Sequence, residues 1–437
     1  MYTSGSTGKP KGVEIEHKAV VGAVASLAPA IPGATNADVY VGYLPLAHIL
    51  ELCAETTILS LGASIGYGST LTLSDTSAMI AEGTMGDLRA LRPTLMAAVP
   101  LVLDRIRDGV SKKIAKASLP VRLLYAAALA SAKQAHFNGW PTPLCNVLVF
   151  NKIRAAIGGR LRMMLSGGAP LSSETQTWFS TVIAPLGQGY GATETCSTGT
   201  ITHPDDPETN VVGAPIMCCE FKLVDWEQYT NADASDPTIG RPRGEMWIRG
   251  NSVSRGYLGM PDKTAEDYPV DSAGIRWYAT GDIGQVETNG VLRIIDRKKD
   301  LVKGGHGEYV SLGKVESALR NADVVDNVMV HQSPELNNPL AVVSVNADAL
   351  RAALGAGADT SANKLVDSED ARSAVLSALK KTAKSAGLKK FETPAWVILE
   401  PTEWTPESDL VTAAQKLKRA NLMKKYRNDI DKVYESL

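Results

Sequence analysis

The chain has 437 residues, 44% of them hydrophobic and 21% charged, with a formal net charge of −2. That length exceeds one ordinary core and predicts about three domain-sized units, while near-neutral charge argues against nucleic acid as a main partner. Five cysteines without framework spacing point to a reducing, intracellular compartment, and no histidine cluster stands beside Cys218 and Cys219 to make a Cys/His metal site.

In chain order, Met1 to Gly12 read MYTSGSTGKPKG. Thr3, Ser4, Ser6 and Thr7 supply hydroxyls, Gly5, Gly8 and Gly12 permit close backbone approach, and Lys9 and Lys11 add positive charge. A loop that turns N–H groups inward in this way prefers phosphate. It is not the Walker A pattern, because Pro10 follows Lys9. A flexible Ser/Gly linker is the competing reading.

Val13 to Ala28 predicts a strand end and then a helix, closed by Pro29 and Pro32. Asp38 to Leu46 reads as a short strand. The next helix is expected to bury Ile49, Leu52, Cys53, Thr56 and Leu59, with Gly62 near its C-terminus. Pro93 to Ile106 predicts a buried strand and a helix. Leu119 to Ala135, rich in Ala and Leu and flanked by Arg122 and Lys133, predicts a packed helix rather than a membrane anchor. No stretch approaches the roughly 18 uninterrupted apolar residues of a spanning helix, and the first residues do not read as a signal peptide.

Leu161 to Leu165 opens into the turn Ser166 to Pro170, followed by a helix beginning near Ser172 or Ser173. Pro185 to Gly189 leads into a second glycine turn, Gln188 to Thr195. Repeats of strand, glycine turn and helix predict α/β layers with ligand crevices at strand C-terminal ends. Val211 to Ile294 predicts a smaller β subdomain. DRKKDLVKGG, from Asp296, has the composition of a hinge. The remainder predicts a separate α+β domain, with Ala347 to Asp367 as a polar surface excursion. The expected domains are 1–296 and 297–437.

Four stretches carry chemistry. In YGATET (Tyr190 to Thr195) a ring can stack on a purine, and Glu194 can hold Mg²⁺ through one carboxylate. In YATGDIG, Asp282 between glycines can accept two ribose hydroxyls. Lys416, Lys418 and Arg419 form a basic cluster near the C-terminus; a lysine ammonium can neutralise a carboxylate and a phosphate together. A tight turn with a solvated Glu, a common Asp-Gly turn and a basic helix face are the plainer readings of these three. In PLAHILE, His48 is a lone histidine, a residue more often structural than catalytic.

Together these motifs resemble the adenylate-forming enzymes (acyl-CoA synthetases, luciferases and adenylation domains), and SIGYG and DTSAMIAEGTMGDLRALRPTLMAAVP are similar to long-chain fatty acyl-CoA synthetases. The resemblance covers essentially the whole chain. It implies a large α/β adenylation domain, here lacking the usual N-terminal segment, with a layered α/β part and a small β part, and a mobile α+β C-terminal domain. It implies ATP and Mg²⁺ as cofactors, coenzyme A as co-substrate and a fatty acid as substrate, ligated through an acyl-adenylate with release of AMP and pyrophosphate.

Residue by residue, the resemblance assigns phosphate binding to Thr3, Ser4, Gly5, Ser6, Thr7, Gly8 and Lys9. It assigns the adenine pocket to Gly167, Gly168, Ala169, Pro170, Gly189, Tyr190, Gly191, Ala192 and Thr193, and ribose or phosphate contacts to Asp282 and Arg297. Lys416, Thr7 and Glu194 are the expected catalytic residues, Glu194 as the Mg²⁺ ligand, and His48 lines the acyl site. Asp296, Arg297 and Lys298 form the hinge, and Gly307, Glu308 and Tyr309 the CoA route. The chain departs from the long-chain pattern at Thr412-Ala413-Ala414, where Thr-Pro-Thr is usual. Two other readings stay open: adenylation of a medium-chain, aromatic or amino acid, and a truncated, non-catalytic nucleotide- or acyl-binding remnant. A long-chain substrate is compatible with a cytoplasmic location or peripheral contact with an internal membrane.

Overall fold

Strands buried on both faces read as unbroken apolar runs, and two such runs, Leu95–Ala98 and Met163–Ser166, lie at the centre of the first of two compact units, Met1–Ile294 and Ile295–Leu437. The computed structural model describes residues 1–4, 10–75, 77, 79–305, 307–357, 360–412 and 416–435.

The central sheet of the first unit has seven strands, in the order Ser64–Tyr67, Val39–Gly42, Leu95–Ala98, Met163–Ser166, Leu186–Gly191, Gly199–Ile201 and Ala214–Pro215. The first five are parallel and the last two antiparallel. Side chains alternate between its faces. Val41, Met96, Ala98 and Met164 meet Val102, Leu103, Phe179 and Val182 of the helices Pro100–Ala115 and Ser173–Val182. Tyr40, Leu95, Ala97 and Met163 pack on the other side against Ile58 of helix Ile49–Ser60. The layered α/β fold follows. Arg162 clamps the sheet's rim by a two-pronged bond to Asp38 (2.8 and 2.7 Å), which holds that carboxyl well below the usual range.

Helix Ile49–Ser60 buries Ile49 and Cys53 as expected and departs from expectation further round its face. Leu59 is 63% exposed, whereas Glu51 is fully buried and Glu55 nearly so. Tyrosine hydroxyls explain the buried carboxylates: Tyr40 donates to Glu51 (2.9 Å) and Tyr67 to Glu55 (3.0 Å). Helix Leu119–Phe137 packs less completely than expected, through the small residues Ala128, Ala132 and Ala135. The expected glycine turn Gln188–Thr195 is strand as far as Gly191, because Gly189–Gly191 pair with Gly199–Ile201; a single 3₁₀ turn, Thr193–Thr195, follows.

The β subdomain is a four-stranded sheet in the order Cys219–Val224, Arg243–Gly250, Tyr278–Val286 and Leu292–Arg297, the boundary between units falling inside the last strand. The N-terminal residues form a hairpin, Tyr2–Ser4 against Pro10–Glu14, to which Gly256–Tyr257 adds a third strand.

The second unit is built on strands Val325–His331, Leu340–Val345 and Trp396–Glu400. Alternation again makes two faces: Val328, Val330, Ala341 and Val343 join one core, while Met329, Leu340 and Val342 join Trp404, Leu422 and Tyr426 in another. The expected surface excursion after Ala347 instead contains the helices Ala347–Leu354 and Ala362–Val366. Leu350, Leu365 and Val366 anchor them in the core, apolar positions that the Ala/Asp/Ser-rich composition masks.

Candidate nucleotide site

Two parallel strands of the central sheet run side by side until the first ends at Ser166, opposite Gln188, at the kind of carboxyl edge where α/β sheets bind ligands. The turn Gly167–Pro170 leaves the first strand, with Gly168 at φ +84°, a left-handed conformation suited to glycine. A Cβ on Gly167 would lie 3.6 Å from the Gly189 carbonyl oxygen and 3.7 Å from a Leu50 methyl. The SGGAP turn, the YGATET strand and the helix that follows His48 therefore meet at one place. The His48 ring caps that helix, Nδ1 accepting from the Leu50 N–H at 3.3 Å.

On the second strand, Tyr190 Oη donates to Asp282 Oδ2 at 2.5 Å. Asp282 is held by its own strand: its N–H donates to Thr280 Oγ1 (3.0 Å), and the Gly281 N–H donates to the buried Glu245 carboxylate (3.2 Å) at a register shift between strands. Gly281 has φ +72°. A ring face and a carboxylate from sequence positions 92 apart thus form one half-buried corner.

Beyond Gly191 the backbone doubles back. A Cβ on Gly191 would stand 2.5 Å from the Ser197 carbonyl carbon, so only glycine fits. Thr195 Oγ1 donates to the Thr198 carbonyl and Thr198 Oγ1 to the Thr195 carbonyl, both at 2.6 Å, which fixes the turn carrying Glu194. Glu194 is buried, and Tyr257 Oη lies 2.8 Å from its Oε1 and 2.9 Å from Asp267 Oδ2. Burial and the Glu194 charge raise the Tyr257 hydroxyl well above the usual phenol range, so it remains a donor. Lys11 sits 4.0 Å over the Tyr257 ring and 3.2 Å from Asp267, which Lys263 also pairs at 2.9 Å.

Tyr257, Asp267 and Lys263 escaped the sequence reading. No spacing or periodicity links Tyr257, in a two-residue strand, to Glu194, 63 positions away. Magnesium takes hard oxygen ligands and keeps waters and phosphates around one or two carboxylates. Glu194 fits that role, with Oε1 occupied by Tyr257 and Oε2 making no hydrogen bond among the described residues.

The hairpin carries the start of the expected phosphate-binding stretch: Thr3 pairs with Lys11 and Ser4 with Pro10, and Lys11 reaches the Tyr257 ring. Gly5, Ser6, Thr7, Gly8 and Lys9 lie outside the described residues. A family model described as AMP-binding enzyme matches residues 1–258, more than half of the chain. The chain belongs to the AMP-binding enzyme family.

The chain is 45% identical to Long chain acyl-CoA synthetase 8 of Arabidopsis thaliana, over 99% of this chain and 61% of that protein. It is 38% identical to Long-chain-fatty-acid–CoA ligase 1 of Schizosaccharomyces pombe, over 99% of this chain and 64% of that one. The chain thus spans a little over three-fifths of the curated relatives it matches. Among solved structures, the adenylation domain of a carboxylate reductase from Mycobacterium chelonae superposes with a TM-score of 0.73 at 26% identity, covering 99% of this chain and 59% of that one.

The remaining expected site residues lie in the second unit. Asp296 is buried, accepts from Ser311 Oγ (2.7 Å) and the Gly313 N–H (3.2 Å), and so caps helix Leu312–Leu319; burial lifts its pKa to about 6. Arg297 is exposed and Lys298 begins a 3₁₀ turn. Gly307 and Glu308 are exposed in the connection between the paired strands Leu301–Lys303 and Tyr309–Ser311. Lys416 closes a short loop, its N–H donating to Thr412 Oγ1 (3.1 Å) and its carbonyl accepting from Thr412 N (2.8 Å); residues 413–415 lie outside the described residues. Lys418 pairs with Asp409. Arg419 is structural: it bonds the buried Glu316 carboxylate and the Val330 carbonyl, both at 2.7 Å. All five cysteines are free, and among the described residues no helix is long and apolar enough to cross a membrane.

Proposed function

We propose that the chain carries the nucleotide-binding and mobile domains of an ATP-dependent long-chain fatty acid–CoA ligase. The observation that supports this most is the Tyr190–Asp282 bond, which joins two separate nucleotide motifs beside the SGGAP turn. The names of the curated relatives support the substrate class.

In the first half-reaction, a carboxylate oxygen of the fatty acid attacks the α-phosphorus of ATP, and the bond to pyrophosphate breaks to give acyl-AMP. Tyr190 stacks on adenine between Gly167–Pro170 and the backbone of Gly189–Thr193, and Asp282 receives the ribose hydroxyls in place of Tyr190 Oη. The stretch of residues 3–9 receives the β- and γ-phosphates, with the Thr7 hydroxyl among the donors. Glu194 would hold Mg²⁺, which would supply positive charge against the triphosphate. Lys416 stabilises charge developing between the carboxylate and the α-phosphate, so most of the catalysis is positioning and electrostatics.

In the second half-reaction, the CoA thiol attacks the acyl carbonyl and AMP leaves. Rotation about Asp296–Lys298 exchanges Lys416 for the Gly307–Tyr309 segment. Arg297 contacts ribose or phosphate, and His48 lines the acyl site.

The test is palmitate-dependent exchange of labelled pyrophosphate into ATP by the folded chain. Exchange supports adenylation; none from a folded sample overturns it for this chain. Competition by medium-chain, aromatic and amino acids then sets the substrate class.

A further inference from the structure

Two thiols stand beside one another in the first unit, where the β subdomain begins. Cys218 and Cys219 lead into the strand Cys219–Val224, and their sulfurs lie 3.6 Å apart. Buried hydroxyls from three other segments surround them. Cys219 Sγ is 3.4 Å from Ser252 Oγ and 3.6 Å from Thr198 Oγ1, and Cys218 Sγ is also 3.6 Å from Thr198 Oγ1. Ser26, on helix His17–Leu27, adds a hydrogen bond to Cys218. Ser26, Thr198 and Ser252 are each no more than 5% exposed, whereas Cys218 is half-buried beside the exposed Met217.

This setting gives the two sulfurs different roles. The hydrogen bond from Cys219, aided by the three hydroxyls, outweighs burial and holds the Cys218 thiol well below its ordinary range; the same bond, with burial, pushes the Cys219 thiol up. A partly exposed thiolate is the reactive form of cysteine. Cys53 and Cys196 are fully buried, and Cys145 packs at the edge of the main apolar core. The pair also touches both segments that fix Glu194. Thr198 Oγ1 donates to the Thr195 carbonyl at 2.6 Å, and Ser254, two residues beyond Ser252, donates its N–H to the Glu194 carbonyl at 2.7 Å. Cys219 pairs with Gly250, where a Cβ would stand 1.9 Å from the Cys218 carbonyl oxygen, so neither backbone shifts there without the other.

We propose that Cys218 and Cys219 form a peroxide-sensitive dithiol whose closure to a disulfide loosens the turn carrying Glu194. The Cys218 thiolate attacks one oxygen of hydrogen peroxide; the O–O bond breaks, hydroxide leaves and Cys218 becomes a sulfenic acid. With that anion gone, Cys219 attacks the oxidised sulfur. The S–S bond forms, the S–O bond breaks, and the departing hydroxyl takes the Cys219 proton and leaves as water. Two electrons thus pass from the thiols to the peroxide. Neighbouring Cα atoms stand about 3.8 Å apart, closer than the roughly 4.4 Å at which ordinary disulfides begin, so ring closure shifts the backbone. Disulfides of that kind are the readily reduced ones, which suits a reversible switch in a reducing compartment. The disulfide is independent of the ligase reading, and only what Glu194 does rests on that reading.

The test treats the folded chain with dilute hydrogen peroxide and maps its peptides by mass. The peptide holding both residues should lose two hydrogens at least about tenfold faster than Cys145 is oxidised, and recover them with dithiothreitol. Cys219→Ser should stop at a sulfenic acid on Cys218, trapped by dimedone. Amide hydrogen exchange across residues 193–198 should quicken on oxidation of the parent but not of Cys218→Ser, and the parent's affinity for magnesium–ATP should fall about tenfold. The proposal is overturned if Cys218 reacts no faster than Cys145, if its sulfur joins a cysteine other than Cys219, or if the disulfide leaves exchange across that turn unchanged. A parent chain that binds no nucleotide overturns the ligase reading alone, because peptide masses and amide exchange still decide the dithiol.

Discussion

Tyr190 and Asp282 share a 2.5 Å hydrogen bond although 92 residues separate them. The phenol occupies a carboxylate oxygen proposed for ribose, so nucleotide entry exchanges one donor for others. Tyr190→Phe keeps the ring face and removes the competitor, and should change the KM for ATP less than about fivefold, since one ordinary hydrogen bond is involved. Asp282→Asn loses charge-assisted bonds and should lower kcat/KM for ATP by about 10- to 100-fold. Steady-state pyrophosphate exchange measures both; a larger loss in Tyr190→Phe than in Asp282→Asn would refute the exchange.

Lys416→Ala should abolish pyrophosphate exchange and largely spare thioester formation from supplied acyl-AMP and CoA. The two half-reactions are assayed separately. Equal loss of both removes the adenylation role from Lys416.

Glu51 gives the first unit a pH signature. Burial, with a smaller push from Glu55 and a partial offset from the Tyr40 hydroxyl, lifts its pKa from the ordinary 4.5 to about 7. The folded protein therefore holds a proton that the unfolded chain releases between these values. Stability falls as pH rises from 4.5 to 7, by about 3 kcal/mol at about 1.4 kcal/mol per pH unit. Glu51→Gln should flatten that slope in urea titrations across the window. An unchanged slope rules out Glu51 as its source.

The basic cluster near the C-terminus should divide sharply by context. Arg419→Met leaves the buried Glu316 without its cation and should destabilise the second unit by about 3–5 kcal/mol. Lys418→Ala breaks only an exposed pair with Asp409 and should cost no more than about 1 kcal/mol. Denaturant midpoints of the two variants provide the comparison.

How much of this was legible in the sequence depends on range. The parallel strands, the Gly167–Pro170 turn and the helix capped by Ser172 follow from local patterns of apolar runs, glycines and hydroxyls. Tyr190, Glu194 and Asp282 stand out by residue type. What stayed hidden is tertiary. Tyr257 reaches Glu194 through the fold alone, and a helix can bury Glu51 while exposing Leu59 because tyrosines 11 or 12 residues away supply donors. Arg419 looks like its neighbours Lys416 and Lys418 in sequence, and only the pairing with Glu316, 103 residues away, separates it from them.

The order of strands in the central sheet also governs how quickly each half of the molecule assembles. Leu95 pairs with Met163 across 68 positions, so the middle of the first unit forms only after a long loop closes. In the second unit, His331 pairs with Leu340 across nine positions, an antiparallel hairpin that closes locally. Low contact order speeds folding and distant parallel pairing slows it. Refolding from urea should therefore show two kinetic phases. The faster is the closing of that hairpin, and the slower should be reported by Trp178, whose indole packs on the late-forming core, and by Trp396, whose strand joins Leu340 in parallel across 56 positions.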